Sequence, residues 1–135
     1  MLESTGINYW AVLVAFIINM AIGAYWYSPA GFGKTWSKLT KIDMKNMSRA
    51  NSAMGFTALA ALVQSVFLAL IVNSLNVTTF WHGLELGLVI WAGFVAATTI
   101  SDTIFAQRGW KLWRLNTAYY LVVLLINASI LAVWR

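Results

Sequence analysis

The chain has 135 residues, 61% hydrophobic and 10% charged, with nine Lys and Arg against four Asp and Glu for a net charge of +5. Soluble domains run nearer about 45–50% apolar and about 25% charged, so the composition excludes water as the main solvent. The basicity does not point to nucleic acid, because the cations sit beside apolar runs rather than along a solvated face, and the absence of cysteine removes disulfides, thiol nucleophiles and thiolate metal ligands.

The opening stretch, 1–6, holds Glu3 and no Lys or Arg, so it lacks the basic region of a cleavable secretory signal, and the first apolar run is expected to remain in the mature chain. That run forms a first predicted span, residues 7–28, free of internal charge. Pro29 ends it, since proline has no amide donor and disfavours helix in the residue before it. A connector over 30–51 follows, holding Lys34, Lys38, Lys41, Lys45 and Arg49 against Asp43. The four lysines recur at intervals of four, three and four, which predicts a short interfacial helix with one basic face, Trp36, Leu39, Ile42 and Met47 supplying its apolar side.

Span two is expected over 52–74, span three over 81–105 and span four over 115–134. The connection between spans two and three carries no charge; the one between spans three and four carries Arg108, Lys111 and Arg114. Eight of the nine cations therefore lie in two connectors on one side, which the positive-inside tendency assigns to the cytoplasm, leaving both termini outside. Aromatic belts agree, with Tyr9, Trp10, Trp81 and Trp134 outside and Trp26, Tyr27, Trp36, Trp110 and Trp113 inside; together with Lys34, Arg108, Lys111 and Arg114, the inner set is expected to meet anionic lipid headgroups. The expected fold is an all-α bundle of four transmembrane helices in one membrane domain.

Lipid tails are as apolar as leucine, so membrane helices associate through close backbone approach and interhelical hydrogen bonds. Rows of small residues at intervals of four supply such surfaces: Ala11, Ala15, Asn19 and Gly23 in span one, Ala61, Ser65, Ala69 and Asn73 in span two, and Gly83 with Gly87, then Gly93 with Ala97, in span three. They suit either the monomer's own bundle or a second subunit.

Polar residues inside the spans are the candidates for function. Asn19, Gln64 and Asn127 fall near the middle of three spans and form a predicted midplane polar layer, either an interhelical hydrogen-bond cluster or a site for a small polar solute. Glu85 and Asp102 are intramembrane acids, with Arg108, Lys111 and Arg114 close to Asp102 in sequence. His82 precedes Glu85 by three positions, placing both on one helical face as a candidate pH-responsive pair. One histidine and no cysteine do not make a metal site, and no nucleophile-base grouping, phosphate loop or catalytic carboxylate pair is present. No catalytic residue, metal or cofactor is expected.

The segment Gly23-Ala24-Tyr25-Trp26-Tyr27-Ser28-Pro29, continued by Phe32-Gly33-Lys34 and Trp36, resembles domain-of-unknown-function family 1761, small predicted membrane proteins mostly from bacteria. Trp91-Ala92-Gly93-Phe94, Trp110-Lys111-Leu112, Asn116, Tyr120 and the closing Leu131-Ala132 and Trp134 extend the resemblance over nearly the whole chain. It implies a four-helix architecture in a bacterial inner membrane and brings no chemistry with it. The residues themselves suggest anchoring for the Trp-Tyr-Ser-Pro segment, or else an inner vestibule lined by Tyr27, Ser28, Lys34 and Asp102. The functional expectation is a non-catalytic, self-associating or accessory membrane subunit, a homo-oligomer or part of a larger complex; the alternative is an oligomeric channel or transporter built on the midplane layer.

Overall fold

The computed structural model describes residues 2–43 and 50–135. Six α-helices follow in chain order: α1 (Tyr9–Trp26), α2 (Gly33–Thr40), α3 (Ala50–Ser74), α4 (Phe80–Ile90), α5 (Ala97–Phe105) and α6 (Trp110–Val133). A π-helical stretch, Trp91–Ala96, joins α4 to α5, so Phe80–Phe105 is one uninterrupted helical span. Four helices among the described residues are thus long and apolar enough to cross a membrane, in agreement with the four-span reading.

Local chemistry sets the helix ends. The Asn8 side chain accepts from the Trp10 and Ala11 amides and starts α1, satisfying donors that the first turn leaves without partners. Beyond Trp26 the chain doubles back at once: the Gly31 and Gly33 amides both donate to the Ser28 carbonyl, and a Cβ at either glycine would collide with the Tyr25 or Tyr27 carbonyl oxygen. Only glycine fits where backbone meets backbone this closely.

Helix α1 lies two residues inside the expected 7–28 at each end, and two boundaries differ more. Span four begins at Trp110, five residues early, because Gly109 turns the chain at φ +85 and the Trp-Lys-Leu-Trp-Arg bend winds into the helix itself. Lys41 adopts φ +59 and stops α2, so the basic face that relied on four lysines holds only Lys34 and Lys38 within the helix; Lys45, Met47 and Arg49 lie outside the described residues.

Helix α6 is the hub, packing against α1, α3 and α4, while α1 also packs on α3. Half of its most apolar window is buried inside the protein, against 17% for the α4–α5 span. The core where α1, α3 and α6 meet is built of Ala11, Val12, Ala15, Leu68, Ala69, Val72, Leu124, Ala128, Leu131 and Ala132. Gly83 and Gly87 bring α4 onto α6 so closely that a Cβ would lie 2.6 Å from Ser129 Cα or from the Leu124 carbonyl oxygen. By contrast, Gly93 has open space above it, and Ala97 is exposed.

At one end of the bundle the N-terminal segment, the α3–α4 loop and the C-terminus are tied together. Asn73 donates to the Glu3 and Thr5 carbonyls at 2.8 and 3.0 Å, and Arg135 donates to the Val77 carbonyl at 2.8 Å. The opposite end carries α2 with Lys34 and Lys38, and Arg108, Lys111 and Arg114 at the α5–α6 bend.

Candidate functional site

Polar side chains collect at two depths. The first is the middle of the bundle, where Asn19, 4% exposed, donates from Nδ2 to Gln64 Oε1 at 2.6 Å. The Tyr119 hydroxyl lies 2.6 Å from Asn19 Oδ1 and donates to it, joining α6 to the α1–α3 pair. Asn127 belongs to a neighbouring level: its Nδ2 donates to the Ala15 carbonyl at 3.0 Å, one turn of α1 away from Asn19, and its buried Oδ1 has no partner. The three amides, one each from α1, α3 and α6, therefore lie level with two adjacent turns of α1, and Tyr119 completes the level of Asn19. Ser65 and Ser129 satisfy themselves on carbonyls of their own helices.

The acids part company. Glu85 and His82 share an exposed face of α4, and neither side chain makes a hydrogen bond or ion pair to the other or to any described residue; the His82 amide donates to the capping Thr79 hydroxyl. Asp102 approaches Arg108 at 3.8 Å, a loose pair whose side chains are 65% and 58% exposed.

The second polar depth is the basic end, where a partly open cavity of about 270 Å³ lies between α2, α5 and α6. An engineered cavity of about 150 Å³ already admits benzene, so this one has room for a small organic group. Its walls are Tyr27, Trp36, Trp113 and Tyr120, four large rings; Thr99, Thr103, Asn116 and Thr117, four neutral polar groups; Leu112; and the Asp102–Arg108 pair. Several walls are locked. Tyr27 donates to Asn116 Oδ1 at 2.9 Å, Trp113 Nε1 to Thr99 Oγ1 at 3.0 Å, and Thr117 to the Trp113 carbonyl at 2.7 Å. Of the expected vestibule, Tyr27 and Asp102 face this space, whereas the Ser28 hydroxyl turns to the Tyr25 carbonyl and exposed Lys34 is not part of the wall.

Two more tryptophans act between helices. Trp26, expected at the headgroups, donates from Nε1 to the Leu115 carbonyl at 3.1 Å, and Trp91, in the interior of span three, donates from Nε1 to the Thr117 carbonyl at 2.7 Å. Trp110 remains half exposed and stacks edge-on against Trp113.

A model of a family described as "Protein of unknown function (DUF1761)" matches residues 10–132. The chain belongs to the DUF1761 family. No curated protein and no solved structure matches it. Of the residues that carry the likeness to DUF1761, Tyr27, Trp36, Asn116 and Tyr120 come from three separate elements and meet around the cavity. Thr99, Thr103 and Thr117 were not singled out from sequence. Their signal was faint but present: Thr99 and Thr103 are four apart, and Trp113, Asn116, Thr117 and Tyr120 recur at helical spacing, so each set shares a face.

Proposed function

We propose that this DUF1761 protein is a non-catalytic membrane subunit that self-associates through the exposed face of the α4–α5 span. The observation that carries the reading is Glu85, a carboxylate on an apolar helix with no partner among the described residues. Ionisable groups within spans face protein or water and pair with other groups, because hydrocarbon does not solvate them. Beside it lie His82 and, further along, exposed Ala92, Gly93 and Ala97, small enough for a second helix to approach. In a twofold pair about the membrane normal the two spans run parallel at one depth, so His82 of each copy can meet Glu85 of the other. Gly83 and Gly87 serve the monomer, whereas Gly93 meets nothing within 4 Å among the described residues and is open to a second helix.

A channel would need a path through the middle, where the Asn19, Gln64 and Tyr119 groups bond to one another and the alanine-rich core closes the space between α1, α3 and α6. That packing favours the subunit reading. The membrane is proposed to be a bacterial inner membrane, with both termini outside and the cavity end in the cytoplasm; tags at the N-terminus and at Lys41 should then be accessible from opposite sides.

The chain has no cysteine, so a single Gly93→Cys variant gives an unambiguous probe. Mild oxidation in native membranes should trap a disulfide-linked dimer, and Glu85→Leu should reduce its yield severalfold. If Gly93→Cys reacts readily with a membrane-permeant maleimide yet stays monomeric under oxidation, this face does not carry a second copy.

A further inference from the structure

The cavity at the basic end has a ligand chemistry of its own, independent of self-association. Its inventory is two-signed. Asp102 offers a carboxylate whose one partner among the described residues, Arg108, stands 3.8 Å away, too far for a good hydrogen bond, so both charges retain capacity for a third group. Around them are donors without acceptors among the described residues: the Trp36 indole N–H, the Asn116 amide N–H groups, held toward other partners because Asn116 Oδ1 is taken by Tyr27, and the Tyr120 hydroxyl. Thr103 is the sharpest of these. It is 8% exposed, lines the cavity, and its hydroxyl makes no hydrogen bond, although a helical threonine can ordinarily bond back to the preceding turn as Thr98, Thr99 and Thr117 do. Several unpartnered donors gathered in one wall, one of them on a residue this buried, mark a place where something else supplies the bonds.

The rings add the second requirement. Tyr27 and Trp36 meet edge to face with centroids 6.2 Å apart, and Trp113 and Tyr120 add aromatic walls from α6, an electron-rich lining beside a carboxylate that suits an organic ammonium group. Arg108 with the Asn116 and Trp36 N–H donors suits the oxygens of a phosphate. We infer that this cavity binds a zwitterion combining an ammonium with a phosphate, the ammonium between Asp102 and the rings and the phosphate against Arg108 and Asn116. A bare anion leaves Asp102 opposed, and a bare cation leaves Arg108 opposed; a group bearing both charges a few ångströms apart satisfies each. The site also lies at the end of the membrane-crossing helices, beside exposed Lys111 and Arg114, at the level where a phospholipid with an ethanolamine headgroup would carry this same pair of charges.

The test uses the full-length protein in detergent, with bound lipid counted by native mass spectrometry and the intrinsic fluorescence of the wall tryptophans followed in parallel. Phosphatidylethanolamine, phosphatidylglycerol and soluble O-phosphoethanolamine are added separately. The expected result is preferential binding of phosphatidylethanolamine over phosphatidylglycerol, reduced at least tenfold by Asp102→Asn and by Arg108→Gln. Both substituted side chains are exposed, so the fold is preserved. Thr103→Val should weaken binding severalfold. Binding of soluble O-phosphoethanolamine alone would assign the site to a free metabolite of this chemistry, and binding of the lipid alone to the membrane component; either supports the zwitterion. Equal retention of both lipids with no response to O-phosphoethanolamine, or an ethanolamine preference untouched by Asp102→Asn, overturns it.

Discussion

The two halves of this bundle use opposite side-chain vocabularies. Toward the termini the helices meet through Ala11, Ala15, Ala69, Gly83, Gly87, Ala128 and Ala132, and the space between α1, α3 and α6 narrows to about 20 Å³ around Ala11, Ala69 and Leu131. Toward the basic end they meet through Trp26, Tyr27, Trp113, Tyr119 and Tyr120, and a cavity of about 270 Å³ opens. Small residues let backbones touch, and dispersion between them replaces the hydrophobic driving force that lipid does not supply. Large rings hold backbones apart and fill the gap incompletely. The same fold is therefore a fastener at one end and a container at the other.

The π-helical stretch marks the changeover on the α4–α5 span. The Ala97 amide donates to the Ala92 carbonyl, five residues back, which inserts a residue and rotates everything after it relative to α6. Before the insertion Gly83 and Gly87 face α6; after it Thr99 and Thr103 face the cavity. Trp91, at the start of the stretch, secures the changeover by its bond to the Thr117 carbonyl.

The largest effect should come from filling the tight half. Gly87→Leu places a side chain against the Leu124 backbone and should cost about 3 kcal/mol, measured as loss of stability in denaturant titrations of the detergent-solubilised protein. Next is Asn19→Leu, which strands Gln64 and leaves the Tyr119 hydroxyl only the longer bond to the Asn19 backbone carbonyl, and should cost about 2 kcal/mol by the same measurement. Asn127→Leu should cost less than about 1 kcal/mol, since its one bond goes to a carbonyl already in a helix ladder and its Oδ1 has no partner to lose. If Asn127 proved costlier than Asn19, the level of Asn19 would not be the one that ties the helices together. In the open half, Trp113→Phe removes the bond to Thr99 and should cost about 0.5–1 kcal/mol, while Gly93→Leu, with nothing near it, should stay within about 0.5 kcal/mol of the parent.

The contrast between Gly87 and Gly93 also shows how far sequence pattern reaches. Both belonged to small-residue rows of equal appearance, yet one seats α6 and the other faces outward, because a row specifies a face and not what covers it. The midplane amides show the same limit: the sequence grouped three of them, but Asn19 pairs with Gln64 while Asn127 binds the Ala15 backbone, a choice set by the relative rotation of α6. Tyr119 could not be ranked above Tyr120 from sequence, since adjacent helical positions point about 100° apart and only packing decides which turns inward.

Four apolar spans, their approximate limits and an end to the first one shortly before Pro29 follow from the sequence alone, because hydropathy and backbone covalent geometry act over one helix at a time. The hub position of α6, the π insertion at Trp91–Ala96 and the cavity that gathers Tyr27, Trp36, Asp102, Asn116 and Tyr120 required the tertiary structure. These depend on how helices rotate against one another, and in an apolar solvent that rotation is settled by the fit of small and large side chains across contacts distant in the chain.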